Sequence, residues 1–288
     1  MELEQYLKER VAPSTAKRYL REIELFFSYY QRQSGIENPK TASYQQIMDY
    51  IGELRKKHQN LGCSLHGIKS YFNYLVASNQ RKDNPAKSIR LRDKRSRDIQ
   101  LQDLFKTTEL EQLLDKKERY QLLKNRNKII ISLLIYQALT NGEVTNLDLN
   151  DINLEQGTIY IKSGRKTNSR TLKLQAKQVF WIMNYLQNDR AKLLKVESDK
   201  LIISSRGTAE SGEGICYLIE TQKQLFPKKK LNAKTIRQSV ITNLLKQGKD
   251  LRIVQIFAGH KYPSTTERYK QTQVEELKNQ ILKYHPLQ

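Results

Sequence analysis

Cysteine is nearly absent from this chain, which removes several classes of protein at once. Cys63 and Cys216 lie far apart and form no CxxC pair. The sequence therefore offers neither a disulfide framework nor a cysteine zinc site, and two isolated thiols suit a reducing compartment. Histidine occurs only four times, and no Asp/Glu/His cluster argues for a metal. No N-terminal apolar run resembles a signal peptide. The longest apolar stretch, IIISLLIYQAL over 129–139, is too short to span a bilayer. The expectation is a soluble, cytoplasmic protein that needs no metal and no cofactor.

Positive charge is what the chain has in excess. Fifty-one Lys and Arg against 30 Asp and Glu give a net charge of +21 over 288 residues. Such a surface attracts a polyanion, and nucleic acid is the leading candidate. The plainer alternative is a basic but unspecialised surface. A hydrophobic content of 38% supports a lean core, in one large domain or two modest ones.

The first 80 residues read as helices. PSTAKRYLREIELFFSYY sets Tyr19, Ile23, Phe26, Phe27 and Tyr30 on one face, with Ser14 or Thr15 as N-cap. Ser43-x-x-Gln46 is a capping box that opens a second helix, with Ile47, Met48, Ile51 and Leu54 inward. A third helix carries Leu65, Ile68, Tyr71, Phe72, Leu75 and Val76. The pattern then breaks at DNPAKSIRLRDKRSRD (83–98), which holds six Lys or Arg between Lys87 and Arg97. It reads as a basic linker between two modules. The organisation expected is a helical domain over 1–90, a linker over 91–106 and a second domain over 107–288.

Beyond the linker the elements are mixed. Thr108-x-x-Glu111 reads as a capping box for a short helix, and 126–139 as a central helix. TIYIKSGRKTNSRTLKL alternates at 158–161 and 171–174 around a basic middle, which predicts a β-hairpin with a long polar tip. A helix over 175–196, a strand LIIS (201–204) and a helix over 233–247 follow. Leu251 to Phe257 form a last core helix that Gly259 ends.

Four features stand together near the C-terminus and the hairpin. Lys234-x-x-Arg237 places two cations on one helix face. Gly259-His260 follows a helix end, and Tyr269 comes nine residues after His260, through the capping box Ser264-x-x-Glu267. The hairpin tip carries Lys162, Arg165, Lys166 and Arg170. Taken singly, each reads as a solvated cation, a helix cap or a packed ring.

Their order and spacing resemble a tyrosine recombinase of the phage integrase family, Xer-like in size. The motifs are KTIR (234–237), FAGH (257–260) and STTERY (264–269), joined by QSVITNLLKQGKDLRIVQI. The resemblance extends over nearly the whole chain and is strongest over 231–270. It implies a mostly α fold with a small β-sheet (α+β). An N-terminal helical, SAM-like core-binding domain would precede a C-terminal catalytic domain. It also implies Tyr269 as nucleophile, with Arg237, His260 and Lys234 around the phosphate. Lys166, or failing that Lys162, would be the general acid. DNA contacts are expected from Lys17, Arg18, Lys69, Arg90, Arg92, Lys94 and Arg95.

The resemblance implies cutting and rejoining of DNA at specific sites through a 3′-phosphotyrosyl bond, for integration, excision or resolution. The free protein would be a monomer or dimer and the synapse a tetramer. The tail stripe Val274, Leu277, Ile281 and Leu282 would dock on a neighbouring subunit or on its own domain. A separate arm-site domain is not expected. The chemistry fits the residues: attack on a phosphodiester builds negative charge that preorganised cations stabilise, and arginine grips two oxygens at once.

The chain departs from the family twice. Lys234 stands where histidine is usual. In QALTNGEV (137–144), matched to TGLRxxEL, Glu143 is in register but Thr140 occupies the position of the first catalytic arginine. No arginine lies between Arg126 and Arg165, and Arg165 or Arg170 could fill the gap. Two other readings stay open: a DNA-binding protein on the same fold that does not cut, and a type IB topoisomerase-like enzyme.

Overall fold

The computed structural model describes residues 2–32, 38–58, 61–91 and 99–270, which form two units divided at Arg97 and Asp98. In the first unit, α1 (Leu3–Arg10), α2 (Pro13–Arg32), α3 (Tyr44–Lys57) and α4 (Gly62–Ala77) enclose an apolar core. The 3.6-residue spacing of Ile23, Phe26 and Tyr30 puts all three inside, and Phe26 meets Tyr30, Tyr50 and Phe72 edge to face. The capping box at Ser43 forms, with Gln46 N–H on the Ser43 hydroxyl and Ser43 N–H on the Gln46 side-chain oxygen Oε1. Ser14 and Thr15 do not cap: Pro13 is already helical, because its fixed φ suits a first helical position. Val76 lies at the edge of the inward stripe and is exposed.

The basic stretch after α4 is not a free linker throughout. Ala86 and Ile89 are buried in the first core, and Lys69 Nζ donates to the carbonyls of Lys87 and Ile89. Within the expected 91–106 linker, Ile99 and Phe105 are buried in the second unit and Leu101–Asp103 forms a 3₁₀ turn. Apolar residues outweigh the local charge there.

The second unit is mostly helical, with α5 (Thr107–Gln112), α6 (Gln121–Tyr136), α7 (Asn141–Asn146), α8 (Ala176–Asn184), α9 (Arg190–Leu193), α10 (Gly212–Glu220), α11 (Ala233–Lys246) and α12 (Leu251–Ala258). A further helix occupies 263–270. α6 lies at the centre, buried from Ile129 to Ile135. The three-stranded antiparallel sheet has the order β1 (Ile152–Asn153), β2 (Thr158–Ile161), β3 (Arg170–Lys173). Its register pairs Ile161 with Arg170, so the polar segment 162–169 is the hairpin tip.

Several local expectations shift. The α5 box is built by Glu109 accepting the Lys106 N–H, two residues earlier than Thr108 and Glu111. The 175–196 helix is α8 and α9 joined by a π-helical turn over Tyr185–Asp189, where the Tyr185 hydroxyl accepts the Ile203 N–H. LIIS is extended but makes only a single bridge, Ile203 to Ala209. Pro263 starts the last helix, so Ser264 lies inside its first turn instead of capping it. Among the described residues no helix is long and apolar enough to cross a membrane, and no group of His, Cys, Asp or Glu is arranged to hold a metal.

Candidate active site

The site is assembled around one carboxylate. α6 stops at Tyr136, and Ala138 turns the chain with φ 52°, a left-handed conformation that non-glycine residues seldom adopt. Thr140 then caps α7 as a true capping box: its hydroxyl accepts the Glu143 N–H, and Glu143 Oε2 accepts the Thr140 N–H at 2.9 Å. The Thr140 hydroxyl proton is committed as well, donated to Glu143 Oε2 at 3.0 Å. Glu143 is thereby fixed and buried.

Two guanidinium groups converge on it. Arg170, the first residue of β3, donates from Nη1 to Glu143 Oε1 at 2.7 Å. Arg237, one turn into α11, places Nη1 at 3.6 Å from Glu143 Oε2. Arg237 also donates to the carbonyls of Ala138 and Ala258. These bonds tie α11 to the turn after α6 and to the end of α12. The arginines hold the Glu143 carboxyl below its ordinary range even though burial works against its charge. Burial lowers the Arg237 pKa, the Glu143 charge opposes that shift, and Arg170 adds to it.

His260 enters from the far side. Gly259 ends α12 with φ 69°, and a Cβ there would sit 2.5 Å from Arg170 Nη1. Glycine is required for both the turn and the close approach. The hairpin's return arm is stitched to this corner: Asn168 N–H donates to the Gly259 carbonyl, and Thr167 bridges His260. Gln255 exchanges two bonds with the His260 backbone. The His260 Nδ1 lies 2.9 Å from the hydroxyl of Thr266, which is fully buried on the last helix. Burial, followed by the charges of Arg237 and Arg170, pushes the imidazole pKa down to about 4.

Tyr269 stands next to it. The ring packs with Ile99, Ile241, Leu245, Val254 and Ala258 and stacks near that of His260. Burial raises the phenol pKa, while Arg237 and Arg268 act in the opposite sense.

Arg237, His260, Tyr269 and Arg170 are therefore brought together. Lys234 is exposed on the first turn of α11 and has no polar partner among the described residues, whereas Arg237 is buried. Lys166 and Arg165 are exposed on the hairpin tip, and both line a cleft of about 340 Å³ with Thr140 and Glu143. Lys162 is held by Asp148 and, at 3.1 Å, by Asp151. In the first unit Lys17 and Arg90 are exposed, and Arg18 pairs loosely with Glu22 at 4.0 Å. Lys69 Nζ donates to two backbone carbonyls of its own unit. Arg92, Lys94, Arg95 and the tail stripe lie outside the described residues. Thr266 and Gln255 were not among the expected site residues, because their partner is a histidine that the turn at Gly259 brings back onto them.

Residues 104–276 match the model of the phage integrase family. The tyrosine recombinase XerD of Halalkalibacterium halodurans is 24% identical over 287 residues, covering 98% of this chain and 95% of that protein. XerD of Vibrio cholerae is 26% identical over 262 residues, covering 89% and 84%. In fold, the chain is similar to XerH site-specific recombinase bound to difH substrate in a pre-cleavage complex. The TM-score is 0.70 at 19% identity, over 94% of this chain and 82% of that one. It is also similar to a lambda integrase (75–356) dimer bound to a COC′ core site, with TM-score 0.61 at 12% identity over 92% of each chain.

Proposed function

The chain belongs to the phage integrase family, and we propose from that premise that it is a site-specific DNA recombinase working through a covalent 3′-phosphotyrosyl intermediate. The observation that carries this reading is the convergence of Arg237, His260 and Tyr269 on one buried, positively charged corner. Tyr269 attacks the scissile phosphorus, and the bond to the 5′-oxygen breaks as the bond to the phenol oxygen forms. Arg237 neutralises the charge that accumulates on the non-bridging oxygens. Burial raises the phenol pKa, and the nearby charges of Arg237 and Arg268 offset part of that rise. His260 stays neutral at physiological pH and serves as a hydrogen-bond donor when the Thr266 hydroxyl donates to Nδ1, which leaves the proton on Nε2. Lys166, exposed and unpaired among the described residues, delivers a proton to the departing 5′-oxygen. Lys162 is a poorer general acid because two carboxylates stabilise its charged form.

The reaction conserves the phosphodiester energy and calls for no nucleotide cofactor. The partner is double-stranded DNA, reached through the exposed cations Lys17 and Arg90 and through the basic stretch between the units. A tetramer on paired sites, serving integration and excision of a mobile element or resolution, is the assembly this activity requires.

The test begins by selecting the bound sequence from a random duplex pool. A nicked duplex carrying that sequence is then incubated with the protein and run on a denaturing gel. A covalent adduct is expected, and its absence on the selected site sinks the catalytic reading. One observation favours a second reading, a member that binds without cutting: Thr140 brings no charge, and its hydroxyl is already committed to Glu143. That reading predicts tight binding with no adduct.

A further inference from the structure

The buried corner holds more positive charge than its own residues neutralise. Among the described residues, Arg170 and Arg237 share one carboxylate, Glu143, and His260 is uncharged near neutral pH. The balance of the cluster is two cations against one anion. Burying an excess charge is costly unless something binds it. Arg237 spends its outer nitrogens on three acceptors. Arg170 does not: with its side chain only 3% exposed, it uses Nη1 alone, and Nε and Nη2 have no hydrogen-bond partner. Those two nitrogens form the edge of a guanidinium that grips two oxygens of an anion side by side. Leaving such donors unmade in a buried place is destabilising and points to an absent acceptor.

We propose that Arg170 is the phosphate-binding residue that stands in for the missing arginine at Thr140. This rests on the recombinase reading above and adds a residue to it. Glu143 explains how the replacement works. It sits one helical turn from Thr140, and it presents Oε1 to Arg170 from the first turn of α7. A cation anchored on the same carboxylate can therefore come from β3 instead of from residue 140. Gly259 makes room, since any side chain there would strike the Arg170 guanidinium. The position is also coupled to the other site residues: the Arg170 charge depresses both the His260 and the Arg237 pKa. Arg165, the other candidate, is exposed on the hairpin tip and lacks any such anchor.

The experiment compares cleavage of two nicked duplexes, one with a normal scissile phosphate and one with an uncharged methylphosphonate at that position. R170A is expected to form covalent adduct on the phosphate on the order of a hundredfold more slowly than wild type. On the methylphosphonate, where less negative charge needs neutralising, most of that deficit disappears. The ratio between the two substrates is taken within one protein sample, so partial unfolding cancels. If R170A does not yield folded protein, R170Q fills the space without the charge and is read the same way. Phosphate cleavage by the variant at the wild-type rate, or an equal deficit on both substrates, overturns the assignment. Failure of wild type to form any adduct instead sinks the recombinase reading itself, so the two failures are distinguishable.

Discussion

The rings of His260 and Tyr269 lie 6.1 Å apart between centroids and 16° from parallel. The nine-residue spacing becomes a fixed side-by-side placement because Gly259 reverses the chain and Pro263 starts the next helix almost at once. Tyr269→Phe keeps the ring, its apolar neighbours and the stack, and removes only the oxygen. Adduct formation is therefore expected to vanish while DNA affinity, read by gel shift, stays within about twofold of wild type. A residual adduct in this variant would assign the nucleophile elsewhere.

Glu143 is expected to matter more for stability than any other polar residue of the site. Glu143→Ala leaves two buried guanidinium groups without their shared anion and strips the box from α7. Breaking a buried charge pair from one side costs about 3–5 kcal/mol. A thermal melt of the variant should show a fall of many degrees, and a wild-type melt would refute the role given to the carboxylate.

Thr140 provides the contrasting case. Its hydroxyl accepts from the Glu143 N–H and donates to the Glu143 carboxylate, which makes it a helix cap. Thr140→Ala should cost about 1 kcal/mol of stability, the usual effect of losing such a cap. Cleavage by the folded variant should change less than about threefold, because no phosphate donor is lost. A hundredfold loss would return Thr140 to the catalytic set.

The parts of the site legible in the sequence are those set by short spacings. Gly259, His260 and Tyr269 belong to one stretch of eleven residues, and helix geometry fixes their relation. The Lys234–Arg237 pair shows the limit of that reasoning. An offset of three places two side chains on one face but does not say how deep each lies, and here one is exposed and the other buried. Glu143, Arg170 and Arg237 come from a helix start, a strand and a second helix, so their meeting depends on packing that no local pattern encodes. The helix starts at Pro13 and Pro263 were displaced for a simpler reason: proline at the first helical position outranked the nearby Ser and Thr as a boundary signal.

His260 gives the pH dependence a definite sign. The imidazole pKa is about 4 in the folded protein against an ordinary 6.5. Between those values the unfolded chain binds a proton that the folded site refuses, so stability is lost as pH falls through this window and is flat above it. The melting difference between wild type and His260→Gln is therefore expected to shrink as pH is lowered from about 7 to about 5. Cleavage should show no acid limb near pH 6.5, since His260 has no proton to gain there. A difference that grows on acidification would mean that His260 is charged in the folded state.

The two hairpin lysines can be separated by changing the leaving group. Lys166 is exposed with no partner among the described residues, whereas Lys162 is bound to Asp148 and Asp151 at the base of the tip. A general acid is needed only while the departing oxygen is a poor leaving group. A 5′-bridging phosphorothiolate at the scissile position departs as a thiolate and does not need that proton. Lys166→Ala should slow cleavage of the normal phosphate about a hundredfold or more and recover most of the rate on the sulfur-substituted strand. Lys162→Ala should instead weaken the hairpin by removing its ties to Asp148, which keeps Lys200, and to Asp151, with equal and modest effects on both substrates. Sulfur rescue of Lys162→Ala but not of Lys166→Ala would exchange the two roles. It would also require the Asp148 and Asp151 contacts to open before the strand can be cut, because a lysine held by two carboxylates gives up its proton reluctantly.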